Sequence, residues 1–490
     1  MNKRVLITTA IDYINGQPHL GHALEKIQAD VLARYFRQQG REVYFLSGTD
    51  ENSLKNVQTA EKVGKPILDF VNEYYLKFYN LKKELNLSYD DFIRTTEPRH
   101  ISGVTKLWQA CKKDIYMKEY TGLYCVGCEA FYTEDELIDG LCPEHKIKPE
   151  LITENNYFFK LSEYQDRLDK ALTDKQYLII PDSRLSETLS FVHSGLKDIC
   201  VSRLASRSKG WGIKVPDDLG QTIWVWFDAL SNYINAIGYS EDQEKFKKWW
   251  QESEVIHVVG KGVSRFHAVY WPAMLLSAGL KLPDKLFVHG YITTEGEKMS
   301  KSLGKTVDPV EMAQKYGSDV LRYYLLREIP AYEDGDFSEA RLKERYNTDL
   351  ANGLGNLLAR VLALAESHEF SLKENDLEKE IQQTEKQYHQ YMSVFRFNEA
   401  LNEIWRLISK ADEYISLEKP WEKKDESEKI IKNLSSLIWV LGKVAYMLNP
   451  FMPKTSDLVL RSLQLINQPM EKWPNLKLSL KKEGILFPRI

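Results

Sequence analysis

No stretch of this chain is long and apolar enough to suggest a membrane span. The longest candidate, LSSLIWVLGKVAYMLNPFM near residue 445, carries Lys443 and fits a core helix. Near the start, Lys3 and Arg4 lead into no sustained apolar run, because Asp12 interrupts it. A secretory leader is therefore not expected, and a cytoplasmic location is. Cysteine is scarce, with five in 490 residues, which argues for thiols or metal ligands rather than a disulfide framework. An excess of positive charge is also missing: the formal net charge is −4, so any nucleic acid contact must use local basic patches. There is no internal repeat and no long low-complexity linker.

What is present fits a folded chain of two to four domains, 43% hydrophobic and 28% charged. RVLITTA and VYFLSGTD (43–50) read as strands, with a helical pattern between them at Leu20, Leu24, Ile27, Val31 and Tyr35. Residues 116–222 change character, with cysteines and loop residues, and read as a strand-poor insertion. Alternation then resumes: TIWVWFDAL (222–230), SEVIHVVG (253–260) and KLFVHGYITT (285–294) read as strands, with a helix over RFHAVYWPAMLLSAG. Such alternation predicts a parallel, doubly wound α/β sheet. Beyond about residue 338 the pattern is helical and predicts a bundle. The expected divisions are 1–115 and 223–300 for the two halves of the α/β domain, 116–222 for the insertion, 301–338 for a connecting fold and 339–490 for the helical domain.

Three motifs carry chemistry. QPHLGHALEK puts His19 and His22 where the first strand hands over to a helix. In a doubly wound sheet that is where ligands bind, and a helix N-terminus suits phosphate. Gly21 between them would let a flat base approach the backbone. Alone, the pair is equally a helix start with two solvated imidazoles. The second motif, EGEKMSKSLGK (295–305), offers Lys298 and Lys301 as compact charges for phosphate on a loop flanked by Gly296 and Gly304. In isolation it is also an ordinary solvated turn. The third is Cys125-x-x-Cys128 followed, after thirteen residues, by Cys142-x-x-His145. Four N/S ligands in two pairs suit a closed tetrahedral zinc site with a structural role. Cys111 and Cys200 fit no pair and are expected to be buried thiols.

HLGH early and KMSKS late resemble the signature pair of class I aminoacyl-tRNA synthetases. TTAIDYINGQPHLGHA, GTDE (48–51), VWFDALSNY (225–233) and the 260–274 segment resemble the methionyl-tRNA synthetase family, and the likeness runs from about residue 4 to the terminal LFPRI. The resemblance implies a split Rossmann catalytic domain, a zinc-bearing insertion and an all-α anticodon-binding domain. It implies ATP, with Mg2+, held by His19, Gly21, His22, Lys298, Ser300 and Lys301, the histidines and lysines being catalytic. Ala10, Ile11, Tyr13, Trp226, Ala229, Leu230, Tyr233, Val263 and His267 would line a methionine site, with Asp50 on the substrate ammonium. Aromatic and aliphatic walls suit a flexible thioether. Asn356, Arg360 and Trp421 would read the anticodon of tRNA(Met), since an exposed Trp stacks on a splayed base. The basic stretch SRLASRSKGWGIK (202–214) would touch the acceptor stem or be plain solvated surface. No membrane partner is implied, and a monomer is expected because the family's additional dimerising C-terminal domain has no counterpart.

Four positions, in three places, depart from the family pattern: Asn52 and Ser53 stand in place of His and Gly, Gly262 in place of Asp, and Asp12 in place of Pro or Tyr. The competing readings are a synthetase for another aliphatic amino acid, a smaller nucleotidyltransferase, and a zinc-containing RNA-binding module. The last two leave the helical domain or the paired signatures unexplained. The short insertion argues against the first.

Overall fold

The computed structural model describes residues 3–490 except 127–129, 145, 295–296, 299–305, 367, 374, 423–426 and 482–483, with backbone alone for 130, 297–298 and 427. It divides into two units, residues 1–289 and 290–490. Among the described residues no helix is long and apolar enough to cross a membrane.

The first unit is built on a seven-stranded parallel sheet. Across it run Asp91–Arg94, Glu42–Asp50, Arg4–Thr9, Glu254–Gly260, Lys285–His289 and Leu178–Ile180, with the short Asp12–Tyr13 also on Glu42–Asp50. The central strands are near-continuous apolar runs, as strands buried on both faces must be. Val5, Leu6, Ile7, Val255, Ile256, Val258 and Val259 are fully buried. The winding direction reverses between Arg4–Thr9 and Glu254–Gly260, where Thr9 lies opposite Val258. The predicted helix runs Leu20–Gln38.

Two expectations need correction. TIWVWFDAL is not one strand: the strand Asp218–Ile223 ends there and Val225–Leu230 is helical. Every residue of that helix is buried, so its apolar run has no polar face to betray a helical period. Residues 116–222 are also not strand-poor. They contain a four-stranded antiparallel sheet in the order Ala130–Tyr132, Ile115–Cys125, Glu150–Phe159, Ile199–Cys200. The alternation was hidden because Glu150–Phe159 buries Glu154 and Asn156 while exposing Leu151. Leu178–Ile180, from the same span, returns to the parallel sheet and pairs with Lys285–Phe287.

The second unit is mostly helical. Glu378–Ser393, Phe397–Glu418, Ser427–Leu448 and Pro453–Ser462 enclose a core that includes Leu401, Ile404, Leu437, Leu441 and Val444, all fully buried. The long apolar segment around residue 445 is the Ser427–Leu448 helix, as its interrupting lysine implied. Before the bundle, Ile292–Thr294 pairs antiparallel with Glu297–Lys298 and parallel with Gly335–Asp336.

Candidate functional site at the sheet switch point

His19 is the N-cap of the Leu20–Gln38 helix, and the two histidines close a reciprocal cap. The His19 Nδ1 accepts from the Gly21 N–H at 3.1 Å, and the His22 Nδ1 accepts from the His19 N–H at 3.1 Å. With both Nδ1 atoms accepting, the neutral rings carry their protons on Nε2. The rings stack at 3.7 Å between centroids, and Phe78 packs edge-on to His22 at 5.2 Å. A Cβ on Gly21 would come within 2.9 Å of the His19 ring, so the close stack requires glycine. The helix start thus places two oriented imidazoles, at the positive end of the helix dipole, at the switch point.

Charged side chains that the sequence reading passed over surround this helix end. Lys26 is fully buried and hydrogen-bonds Asp12, whose other oxygen lies 3.9 Å from the His22 Nε2. Glu25 accepts from the Gly260 N–H at 3.0 Å and lies 3.2 Å from the His289 Nε2. It thereby ties together the carboxyl ends of two neighbouring strands. The available signal was a run of charged residues on a helix face otherwise reserved for the core.

The apolar candidates group around a buried hydrogen-bonded core. Trp226 meets Tyr13 edge-on at 6.1 Å and lies flat on Phe266 at 3.7 Å. Phe266 is a wall residue that the family resemblance does not single out, although it is the neighbour of His267 in sequence. Tyr233 donates to the His267 Nε2 at 2.6 Å, and the His267 Nδ1–H donates to the Val263 carbonyl at 2.9 Å. The π-helical turn Phe266–Tyr270 carries His267, and turns of this kind concentrate at functional sites. Ala10, Ile11, Tyr13 and Val263 pack against the same core as Trp226, Leu230 and Tyr233. Ala229 is buried beside Leu230 on the same helix. Asp50 ends its strand opposite Tyr13 and is buried, its carboxylate accepting from the Asn52 N–H at 3.3 Å. Ser53, one of the departures, caps the Leu54–Lys62 helix through the Asn56 N–H. Gly262 lies in the helical turn Lys261–Val263.

Burial pushes His267 down to about 4, against the opposing pull of the Val263 carbonyl. Burial also lowers His257 well below its usual range, with His267 as a further cause. The unfolded chain therefore binds protons at these sites when the folded one does not. Stability should fall as pH drops from about 6.5 toward 4, by up to about 1.4 kcal/mol per pH unit for His267 alone. Denaturation midpoints at pH 7 and pH 5 test this. His267→Gln should flatten the difference, leaving the His257 share, and an unchanged slope would refute it.

Of the metal candidates, Cys125 and Cys142 are both fully buried. Cys125 ends the long hairpin strand. Cys142 opens a tight turn in which the Lys146 N–H bonds the Cys142 carbonyl at 2.8 Å and the Cys142 N–H bonds the Ile147 carbonyl at 2.9 Å. Cys128 and His145 lie outside the described residues, and among the described residues no three metal-ligating side chains converge. Cys111 and Cys200 are buried, as expected. Of the lysine motif, Lys298 is described in backbone only, while Ser300 and Lys301 lie outside the described residues. The basic stretch 202–214 spends much of its charge internally: Arg203 is buried against the Cys200 and Ser202 carbonyls, and Arg207 pairs with Glu154.

In the helical unit, the Arg360 guanidinium lies 5.6 Å over the Trp421 ring and 3.2 Å from Asp412. Trp421 is 44% exposed while Pro420 beside it is buried. Asn356 is exposed one turn before Arg360 on the same helix.

Two paired imidazoles at a helix N-terminus stand here at the switch point of a doubly wound parallel sheet, the position at which sheets of this kind commonly take ligands. The family model "tRNA synthetases class I (M)" matches residues 5–148 and 145–362, and "Anticodon-binding domain of tRNA ligase" matches 374–485. Methionine--tRNA ligase of Thermotoga maritima is 42% identical over 96% of this chain and 77% of its own length. That of Caldanaerobacter subterraneus subsp. tengcongensis is 42% identical over 100% of the chain and 79% of its own length. The Mycobacterium tuberculosis methionyl-tRNA synthetase structure in complex with methionyl-adenylate superposes with a TM-score of 0.91 at 35% identity, covering 100% of both chains. The chain belongs to the class I aminoacyl-tRNA synthetases and, within them, to the methionyl-tRNA synthetase family.

Proposed function

We propose that this chain is a methionine–tRNA ligase that activates methionine with ATP and transfers it to the 3′-terminal adenosine of tRNA(Met). The observation that carries this reading is the paired-histidine cap at the switch point, beside an aromatic pocket with a buried carboxylate. A carboxylate oxygen of methionine attacks the α-phosphorus of ATP. The bond from that phosphorus to the bridging oxygen breaks, and pyrophosphate leaves. A ribose hydroxyl of the tRNA then attacks the acyl carbon, releasing AMP, and its proton passes to the departing phosphate or to solvent. No protein nucleophile is required: positioning and charge stabilisation suffice. His19 and His22 donate from Nε2 to the phosphate oxygens, and Lys298 and Lys301 hold the phosphates, with Mg2+ arriving on the triphosphate. Asp50 takes the substrate ammonium. Trp226, Tyr13, Ala10, Ile11, Ala229, Leu230 and Val263 enclose the thioether, and Tyr233 and neutral His267 close its end. Amino-acid-dependent ATP–pyrophosphate exchange across all twenty amino acids tests the assignment. Methionine alone should support exchange well, and a response to another aliphatic amino acid instead would overturn it.

The insertion 116–222 is assigned a structural zinc held by Cys125, Cys128, Cys142 and His145. Supporting this, two of the four ligands are buried thiols, one of them opening a tight turn, and the donor chemistry suits zinc. Purified protein should contain one zinc per chain, and Cys142→Ser should lose it and melt earlier. A metal-free preparation with unchanged melting would refute the site. The helical region is assigned the anticodon through Asn356, Arg360 and Trp421, in a monomeric cytoplasmic enzyme.

A further inference from the structure

Asn52 departs from the family pattern, yet it sits in a buried, multiply bonded polar cluster of the first unit. Its Nδ2 donates to the Asp228 Oδ2 at 2.8 Å and lies 3.2 Å from the Thr95 carbonyl. The other Asp228 oxygen takes the His100 Nε2–H at 2.5 Å. The His100 Nδ1 faces the Asn235 amide nitrogen at 3.3 Å, which leaves the imidazole proton on Nε2, aimed at Asp228. Asp228 and His100 are both fully buried. The packing is tight enough that a Cβ on Gly103 would fall 1.9 Å from the Asn235 Oδ1, so the helix bearing His100 needs glycine there to reach the cluster.

The cluster joins two walls of one pocket. Asn52 follows Asp50 closely, and its own N–H holds the Asp50 carboxylate. Asp228 shares a six-residue helix with Trp226, Ala229 and Leu230. The Asn52–Asp228 bond is therefore the polar link between the group assigned to the substrate ammonium and the wall assigned to its side chain. A buried carboxylate with both oxygens engaged resists movement, because losing either partner leaves a charge without compensation.

We infer that Asn52, Asp228 and His100 are positioning residues that set the spacing between the ammonium site and the thioether wall, and so tune methionine affinity. The inference rests on the proposed methionine site, and the test separates the two. Pyrophosphate exchange is measured for Asp50→Ala, Asn52→Ala and Asn52→His, with KM for methionine, KM for ATP, kcat and melting recorded. Asp50→Ala should raise KM for methionine sharply. If it does not, the methionine site itself is misassigned. Asn52→Ala should raise KM for methionine by about tenfold, the loss expected for a hydrogen bond to a charged group, with KM for ATP little changed. Asn52→His restores an N–H donor and should bring that KM back toward the parent value. A purely structural role would lower melting without this selective change in KM. Unchanged KM for methionine in Asn52→Ala, with Asp50→Ala impaired, would overturn the inference. Should Asn52→Ala not fold, Asp228→Asn serves in its place. It keeps the volume but sets an amide donor against the Asn52 donor or withdraws the acceptor from His100, and unchanged KM there overturns the inference equally.

Discussion

His22→Ala should lower methionine-dependent pyrophosphate exchange by about 10²–10³-fold, the loss typical when one preorganised donor to a developing charge is removed. The ring is oriented before substrate arrives. Its Nδ1 is committed to the His19 N–H, its face is stacked on His19, and the Phe78 ring packs near-perpendicular to it. That geometry costs no reorganisation in the transition state. The same substitution removes part of a helix cap, which costs about 1 kcal/mol of stability. Melting should therefore shift modestly, and methionine binding in the absence of ATP should be nearly unchanged. A fall in exchange of less than tenfold would mean that the ring serves mainly as a cap.

Trp421→Ala should weaken tRNA binding by about 1–3 kcal/mol, a 5- to 150-fold loss in aminoacylation efficiency, if the indole stacks on a base. Pyrophosphate exchange, which needs no tRNA, should stay near the parent rate. A core tryptophan would instead cost about 3–5 kcal/mol of stability on truncation. The 44% exposure of the ring, with the Arg360 guanidinium above it, argues that the bundle will melt near its normal temperature. Normal aminoacylation by the variant would rule out the stacking role.

The sheet could be read from the sequence because its central strands are apolar on both faces, and the first helix because Leu20, Leu24, Ile27 and Val31 recur on one side. The failures have the same physical root. Val225–Leu230 is buried on every side and shows no period, while Glu150–Phe159 hides polar residues and exposes Leu151. Pattern reading assumes that burial follows polarity, and both segments break that assumption. At the site, the histidines were legible from their place between strand and helix. Their mutual capping was not, since it depends on ring orientation rather than spacing. Asn52 was visible only as a mismatch. Its partner Asp228 lies 176 residues away, and His100, which bonds Asp228 in turn, lies 128 residues from it; no local pattern links such positions.

The buried Lys26–Asp12 pair has a consequence for how this region can vary. Breaking one partner of such a pair costs about 3–5 kcal/mol, whereas replacing both with well-packed apolar residues is often neutral. Substitutions at positions 12 and 26 should therefore be energetically coupled. Removing the carboxylate at position 12 alone should destabilise the chain more than removing it together with the Lys26 ammonium. The Asp at position 12, which looks like an isolated oddity beside the histidine motif, is half of a buried charge pair whose other half lies two turns of the helix beyond the motif's start.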